Sequence, residues 1–148
     1  MTTFHFANLD AWVRKTEKRT NAVIRQSVND MLNDIEVVPG INRGGSRVPG
    51  TIPRDTGALA ASLQSTLYGS TSMTQQGAEG WILVVGSMRA GDIARFSWGG
   101  GVAPYAPHVH YGARGVPGTF WIDIATAKWQ QYVASATQRA KAQVGGTA

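Results

Sequence analysis

The sequence predicts an α+β fold in which a long N-terminal helix and a C-terminal helix pack on a small antiparallel β-sheet, with long loops. Apolar residues recur at helical spacing near both ends of the chain. β-prone runs occupy the middle, and glycine, proline and serine punctuate the connections. The 148 residues fit one domain, 1–148, which is large enough to bury a hydrophobic core.

The first segment predicts a helix from Asn8 to Glu36. Asn8 or Asp10 can cap its start, and Pro39-Gly40 ends it. At 1.5 Å per residue this helix would be about 40 Å long, so it either spans the subunit or projects from it to meet a neighbour. The apolar or small residues of its predicted inner face are Leu9, Trp12, Val13, Thr16, Val23, Ile24, Ser27, Val28, Met31, Leu32 and Ile35.

Residues 37–54 form a predicted flexible arm. Glycine, proline and serine interrupt this segment, which has no hydrophobic periodicity, and it carries Arg43, Arg47 and Arg54 but no acidic residue. A loop of this length in a compact domain is usually functional or disordered. Two interpretations stay open: a mobile surface loop, or an arm that orders against a partner subunit or a polyanion.

The middle of the chain is predicted to be rich in β-structure. Ser62–Gly69 alternates apolar and polar residues, as a half-buried strand does, and Trp81–Ser87 is a strongly β-prone run. With the polar turn region 70–80 between them, they predict an antiparallel hairpin with a long loop. A short strand is expected at Phe96–Trp98, and Tyr105–Tyr111 fits either a helical turn or an edge strand.

The last element is predicted to be a helix that starts near Thr119. Residues 143–148 read as a frayed tail. Helical spacing is shown by Trp121, Ile122, Ala125, Trp129, Tyr132, Val133, Ala136 and Ala140.

Composition excludes several classes of site. The chain has no cysteine, so disulfides and thiolate metal sites are excluded. No apolar run approaches the roughly 20 residues of a membrane span, and no export signal is visible, so no membrane partner is expected. The net charge of +5 is compatible with loose contact with a polyanion or with nucleic-acid binding.

Asp55–Ala58 spells the tetrapeptide that surrounds the catalytic carboxylate of retroviral-type aspartic proteases. In those enzymes the motif ends an apolar strand, whereas here Pro53 and Arg54 precede it. An arginine would perturb a carboxylate pair that shares a proton, and the second signature of such proteases is missing. We therefore interpret Asp55 as a helix N-cap that accepts from the amide of Gly57 or the next residue.

Other candidate chemistries are weaker. His108 and His110 would share one face of a strand and could bind one metal, but a zinc site needs a third ligand, and Asp92 and Asp123 are the nearest acids in sequence. We find no Gly-rich phosphate loop and no recognisable serine–histidine–acid pattern. No catalytic, metal-binding or cofactor-binding residue is predicted, and the chain is not expected to be an enzyme.

The stretch VPGTIPRDTGALAASL is followed about 40 residues later by PYAPHVHYGARGVPGTFWIDIATAKW. In order and spacing these blocks resemble the tail-completion, or neck, family of long-tailed bacteriophages, the small proteins that join head to tail. The sequence departs from the family pattern at His110, where an acid is usual, at Gly118-Thr119, which separates Pro117 from Phe120, and at Arg89–Gly101, which looks like an added loop. The matching residues are Pro53, Asp55, Thr56, Gly57, Leu59, Ser62, Tyr105, Ala106, Val109, Gly112, Pro117 and Phe120.

The resemblance implies a non-enzymatic part of the virion neck, made and assembled in the host cytoplasm. It implies a ring of copies, expected to be a hexamer, between a head-closure or connector protein and the tail terminator or tail tube. Genomic DNA would pass through the lumen, and no cofactor is implied. The alternatives are a tail terminator that caps the tail tube and, from a different class, a basic nucleic-acid-binding module.

Two sets of residues follow as expectations for the site. Contacts between subunits or between layers are expected at Arg43, Arg47, Arg54, Arg89, Arg95 and Trp98. The residues expected to hold the subunit fold are Asp55, Thr56, Gly57, Leu59, Tyr105, Tyr111 and Gly112.

Overall fold

The computed structural model describes residues 6–36, 49–53, 58–77, 80–101 and 103–145. It confirms the α+β class: two long helices pair with each other beside a three-stranded antiparallel sheet, and a second sheet has two short strands. In chain order the elements are α1 (Phe6–Glu36), α2 (Ala58–Ala61), β1 (Gln64–Tyr68), β2 (Met73–Gln76), α3 (Gly80–Ser87), β3 (Ile93–Ser97), α4 (Ala106–Tyr111), β4 (Gly112–Ala113), β5 (Val116–Pro117) and α5 (Trp121–Gly145).

The two long helices were both predicted, and they pair in antiparallel orientation. α1 has 31 residues and is about 45 Å long. The Tyr132 hydroxyl donates to Asp34 Oδ2 at 2.6 Å, and the Arg139 guanidinium donates to Asp30 Oδ2 at 2.5 Å. Later residues of α5 thus meet earlier residues of α1. α5 continues to Gly145 and so includes the first three residues of the predicted frayed tail 143–148, whose last three residues lie outside the described ranges.

The Tyr132 hydroxyl keeps its proton and remains a hydrogen-bond donor in this helix pair. Burial raises its pKa, and the hydrogen bond to Asp34 and the negative charges of Asp34 and Asp30 raise it further. The phenol therefore stays protonated at physiological pH, and the bond between α5 and α1 persists.

The sheet has the strand order β2-β1-β3, with both pairs antiparallel. Thr66 at the centre of β1 lies opposite Thr74 on β2 and Arg95 on β3. Because strand side chains alternate between faces, Ser65 and Leu67 point to the other face and are buried there. One face of the sheet thus closes the core and the other faces solvent.

The prediction of a strand at Trp81–Ser87 is wrong, because this run forms the helix α3. Its buried residues Trp81, Val84 and Val85 lie on one helical face, while Ile82 and Leu83 are exposed. An apolar run this short does not show whether its spacing is that of a helix or of a strand. Here packing against β1 and β2 selects the helix. The strand that follows β1 and pairs with it is the polar segment Met73–Gln76, inside the predicted turn region.

Three shorter elements agree more closely with the sequence. The helical turn expected after Asp55 is α2, and the strand expected at Phe96–Trp98 is β3, which begins three residues earlier. Tyr105–Tyr111 adopts the helical one of the two options left open, as α4. Since β3 pairs with β1 along its length, Arg89–Gly101 is not simply an added loop.

Two clusters of buried apolar residues form the core, and both include residues of α1. Met31 and Trp98 pack against both clusters, and Trp98 Nε1 donates to Glu36 Oε1 at 2.6 Å. The first cluster contains Ile35, Ile52, Leu59, Ala60, Ala103, Ala106, Val109, Trp121 and Ala125. The second contains Val28, Leu32, Leu63, Leu67, Trp81, Val84, Val85 and Met88.

A tight crossing of backbones connects α4 to α5. Thr119 N donates to Val109 O at 3.1 Å, and Phe120 N donates to His110 O at 3.0 Å. At Gly118 a Cβ atom would overlap His110 O and the backbone of Tyr111. The fold of this chain therefore requires a glycine at position 118.

We expect Gly118→Ala to lower the free energy of unfolding by about 1–3 kcal/mol, because the backbone crossing must open to admit the methyl group. Gly86→Ala is the matched control. Gly86 lies in α3, and apart from its chain neighbours and the nearby backbone of the helix no atom lies within 4 Å of its would-be Cβ. Alanine should therefore stabilise the protein by up to about 1 kcal/mol. Urea unfolding followed by circular dichroism measures both changes, and equal effects at the two glycines would contradict the steric account.

Asp92 ties the β1–β2 turn to the start of β3. Its carboxylate accepts from the backbone amides of Ser70 and Arg89, each at 2.9 Å, and from the Ser70 hydroxyl. These amide donors lower the pKa of Asp92, the Ser70 amide most strongly.

The stabilisation by Asp92 should depend on pH. Because its pKa is lower in the folded state, this stabilisation is present above the unfolded-state pKa of about 4 and is lost as the pH falls through the folded value. We expect Asp92→Asn to lower the free energy of unfolding at pH 7, and we expect this loss to become progressively smaller below about pH 4. Denaturant unfolding across that range measures the difference, and a gap that does not change with pH would contradict this assignment.

Candidate interaction surfaces

The N-terminal half of α1 projects from the body and exposes an apolar surface. Residues 9–20 are all exposed, including Trp12 at 63%, Leu9 at 43% and Val13 at 39%. The Thr16 hydroxyl donates to Trp12 O at 2.9 Å, which leaves its methyl group as the outward contact surface. Leu9, Trp12, Val13 and Thr16 recur at helical spacing and form the projecting stripe.

Charged residues border the projecting stripe on two sides. At 100° per residue, Asp10 and Glu17 lie along one edge of the stripe. Lys15 and Arg19 lie along the opposite edge. The stripe is therefore an amphipathic surface with one acidic and one basic border.

A groove runs between α1 and α5 next to the projecting stripe. Its volume is about 590 Å³. Apolar side chains and threonines form its walls, and a cation from each helix stands at its rim. The lining residues are Arg19, Thr20, Val23, Ile24, Val133, Thr137, Ala140 and Lys141, and we refer to them as the α1–α5 groove.

The solvent face of the sheet is a second broad surface. Arg95 lies exposed on β3, opposite Thr66, and Tyr68 lies opposite Ile93 near the end of the sheet. None of the strand residues on this face is acidic. The open sheet face consists of Gln64, Thr66, Tyr68, Thr74, Gln76, Ile93, Arg95 and Ser97.

The residues expected to make contacts with neighbours differ in how exposed they are. Arg89 and Arg95 are exposed, as a contact role requires. Trp98 is half-buried, packs edge-to-face on Trp121 with ring centroids 6.2 Å apart, and donates to Glu36. The ring of Trp98 thus packs toward the interior of the subunit, and its expected contact with neighbours stays a prediction.

Four of the residues expected to hold the fold lie within the described ranges, where they occupy different environments. Leu59 is buried in the first cluster, and a Cβ at Gly112 would lie 2.8 Å from Val116 O. The side chains of Tyr105 and Tyr111 are exposed. Tyr105 contributes through its backbone carbonyl, which accepts from residues 108 and 109, and Tyr111 packs its ring against the His110 ring.

Six of the predicted site residues lie outside the described residues. They are Arg43, Arg47, Arg54, Asp55, Thr56 and Gly57. The predicted arm 37–54 is described only at residues 49–53, where Gly50 N donates to Thr119 O at 2.7 Å and Ile52 N donates to Ile35 O at 3.0 Å. These two bonds attach the end of the arm to the first cluster.

The two histidines of α4 do not share a face. His108 is exposed, whereas His110 is buried among Tyr111, Phe120 and Trp121. His110 Nε2 accepts from Ile122 N at 3.3 Å, in the first turn of α5. In the described part of the chain, no group of three or more histidine, aspartate or glutamate side chains is placed to hold a metal ion.

His110 therefore occupies a position where an acceptor helps to cap a helix. The first amides of a helix have no intrahelical partner, and a carboxylate or an imidazole nitrogen can accept from them. The imidazole of His110 thus presents an acceptor to the start of α5, as a carboxylate at this position could.

No protein-family model matches this chain, and no curated protein or solved structure matches it either. Within the described ranges, no helix combines the length and the apolar character that a membrane crossing requires. The exposed surfaces of the fold, together with the sequence blocks, therefore carry the functional inference.

Proposed function

We propose that the chain is a structural protein of the neck of a long-tailed bacteriophage. Copies of it would form a ring that joins the DNA-filled head to the tail and lets DNA pass through the lumen. The ring would contact a head-closure or connector protein on one side and the tail terminator or tail tube on the other. It would act by shape, in the virion, without a cofactor and without making or breaking covalent bonds.

The projecting stripe is the observation that carries this proposal. Trp12, Leu9 and Val13 stay exposed on a helix whose C-terminal half forms part of the core. Contiguous apolar surface on a soluble protein marks a site that a partner covers. A protein that assembles with its own copies has a use for such a surface, whereas a solitary catalyst does not.

The two sequence blocks that resemble the neck family support the same proposal by the positions of their residues in the fold. Leu59, Ala106 and Val109 are buried in one cluster, and the Ser62 hydroxyl accepts from Gly99 N at 2.9 Å. Gly112 allows a close approach of two backbone segments. These residues shape the subunit and do not surround a reactive group, which is expected where a sequence pattern encodes a scaffold for assembly.

The charge distribution suits a channel for DNA. The chain carries a net charge of +5, and the open sheet face presents Arg95 without an acid among its strand residues. Several such faces around a lumen would attract the phosphate backbone without reading its sequence. Arg89, with Arg43, Arg47 and Arg54 of the arm, remains a proposed contact with neighbouring subunits or layers.

The open sheet face also favours one alternative, a basic nucleic-acid-binding module that works alone. Salt separates the two functions, because phosphate binding loses about three to five orders of magnitude in affinity between 50 and 200 mM salt when six to ten contacts are made. A ring held by apolar contacts should survive that change. A tail terminator that caps the tube would differ only in its neighbour.

Deleting the gene from the virus that encodes it should give filled heads and finished tails that stay separate. Electron microscopy of lysates shows this outcome, and expression of the wild-type chain from a plasmid should restore joined particles. Arg43→Ala combined with Arg47→Ala should reduce the restoration.

Joined, infectious particles without the chain, or its absence from purified virions, would contradict the proposed function. Full restoration by the double arginine variant would contradict only the role of the arm. The two results are therefore informative about different parts of the proposal.

A further inference from the structure

We infer that His110 is an acid-sensitive helix cap, which holds the connection between α4 and α5 closed while its imidazole is neutral. This connection, residues 109–122, leaves α4, passes through the paired strands β4 and β5 and enters α5, and we refer to it as the α4–α5 junction. Protonation of His110 removes the acceptor at the start of α5 and opens the junction locally. The inference does not depend on the proposed role in a virion neck.

The hydrogen bond from Ile122 fixes the state of the His110 ring. The Ile122 amide donates to His110 Nε2 at 3.3 Å, so this nitrogen carries a lone pair and no proton. In the neutral ring the single proton then lies on Nδ1. Nδ1 is buried and has no hydrogen-bond partner in the described part of the chain. The fold therefore accommodates the neutral imidazole, with its proton on a defined nitrogen.

The protonated ring does not fit the same site. Both nitrogens of an imidazolium are donors, so Nε2–H would face the Ile122 N–H, and the first turn of α5 would lose its acceptor. The positive charge would lie at the N-terminal end of a helix of 25 residues, where the helix dipole disfavours a cation. His110 is 4% exposed, so water solvates that charge only when the junction opens.

No charged side chain among the described residues pairs with His110. Its ring contacts the uncharged rings of Tyr111, Phe120 and Trp121, at centroid distances between 4.5 and 5.6 Å. The Glu36 carboxylate at the end of α1 accepts from Trp98. The charged or titratable histidine, arginine, aspartate and lysine side chains of α4, the β4–β5 turn and the first two turns of α5 are all exposed, and they are His108, Arg114, Asp123 and Lys128. Arg54 and Asp55 lie outside the described residues.

Strained backbone in the junction favours its opening once the cap is lost. Phe120, directly before α5, has a φ of 49°, and Arg114 has a φ of 53°. This left-handed conformation is unfavourable for residues other than glycine, especially those with a bulky side chain. Because the cap on Ile122 and the bond from Phe120 N to His110 O hold this segment in place, loss of the cap lets the strain relax.

The opening stays local because α5 has separate attachments further along. Tyr132 donates to Asp34, and Arg139 donates to Asp30, on α1. Neither contact depends on an imidazole, so both should persist in mild acid. The first turn of α5 can therefore detach while the rest of the helix remains paired with α1.

The pH dependence follows from which form of the junction binds the proton. A histidine exposed to water takes up its proton near pH 6.5, whereas the closed junction excludes that proton. The stabilisation of the closed form is therefore fully present above this pH and declines below it. Each further pH unit below about 6.5 should raise the open fraction by up to about tenfold.

Hydrogen exchange, measured residue by residue on the full chain at about pH 7.5 and about pH 5.5, tests this dependence. After correction for intrinsic exchange rates, the amides of Thr119, Phe120 and Ile122 should lose up to about tenfold in protection at the lower pH. The amides of Val133 and Ala136, in later turns of α5, should keep their protection. Unchanged protection at the junction, or an equal loss along the whole of α5, would overturn the inference.

Two substitutions assign the effect to one imidazole. His110→Gln offers an amide oxygen to the Ile122 amide and does not titrate, so the loss of protection in acid should disappear. His108→Gln is the matched control, because His108 is exposed on the same short helix, and this variant should respond like the wild type. A response that persists in His110→Gln, or one that disappears in His108→Gln, would contradict the assignment.

A long-range proton–nitrogen NMR spectrum of the wild-type imidazoles gives a test that needs no substitution at His110. At about pH 7.5, His110 should show a proton on Nδ1 and none on Nε2, with the spectrum of His108→Gln used to assign the signals. Near pH 6.5 the closed form should keep His110 neutral while His108 takes up its proton. A proton on Nε2, or an imidazolium at His110 in the closed form, would overturn the inference, and the second result would indicate a carboxylate partner outside the described residues.

Discussion

Both hydrophobic clusters of the described structure are built on the C-terminal half of the first helix. Val28 and Leu32 enter the cluster that lies under the sheet, and Ile35 enters the cluster formed with α4 and α5. Met31 and Trp98 join the two clusters. This half of α1 therefore sets the position of the sheet relative to α5, and the remaining half extends from the body as a consequence of the same continuous helix.

Helices that repeat their apolar spacing over many turns could be predicted from the sequence. Elements whose structure is decided by packing could not. The repeating apolar residues of α1 and α5 define a face over many turns, so both helices were predicted correctly. Trp81–Ser87 has a strong β-propensity but too few residues to show a period, and its environment makes it a helix. Met73–Gln76 is polar and was read as a turn, yet hydrogen bonding to β1 makes it an edge strand.

The candidate surfaces were harder to predict than the fold. Leu9, Trp12 and Val13 were recognised as part of an apolar face, but the sequence does not say where α5 stops covering that face. The groove depends on how α1 and α5 are aligned, through pairs such as Tyr132 with Asp34, which no local pattern contains. Trp98 was expected at a contact surface because it lies within Arg89–Gly101, which looks like an added loop in the sequence. Its partner Glu36 is distant in sequence.

The absence of glycine and proline from α1 has a mechanical consequence. A stiff rod that is anchored at one end and free at the other acts as a lever, so a load on Trp12 is delivered to the buried turns around Leu32 without being absorbed by a hinge. In the proposed ring, the geometry of this rod would then set the tilt between adjoining copies. Inserting a single residue between the two halves of α1 would rotate the N-terminal half by about 100° about the helix axis. The projecting stripe would then point away from any surface that it fits now.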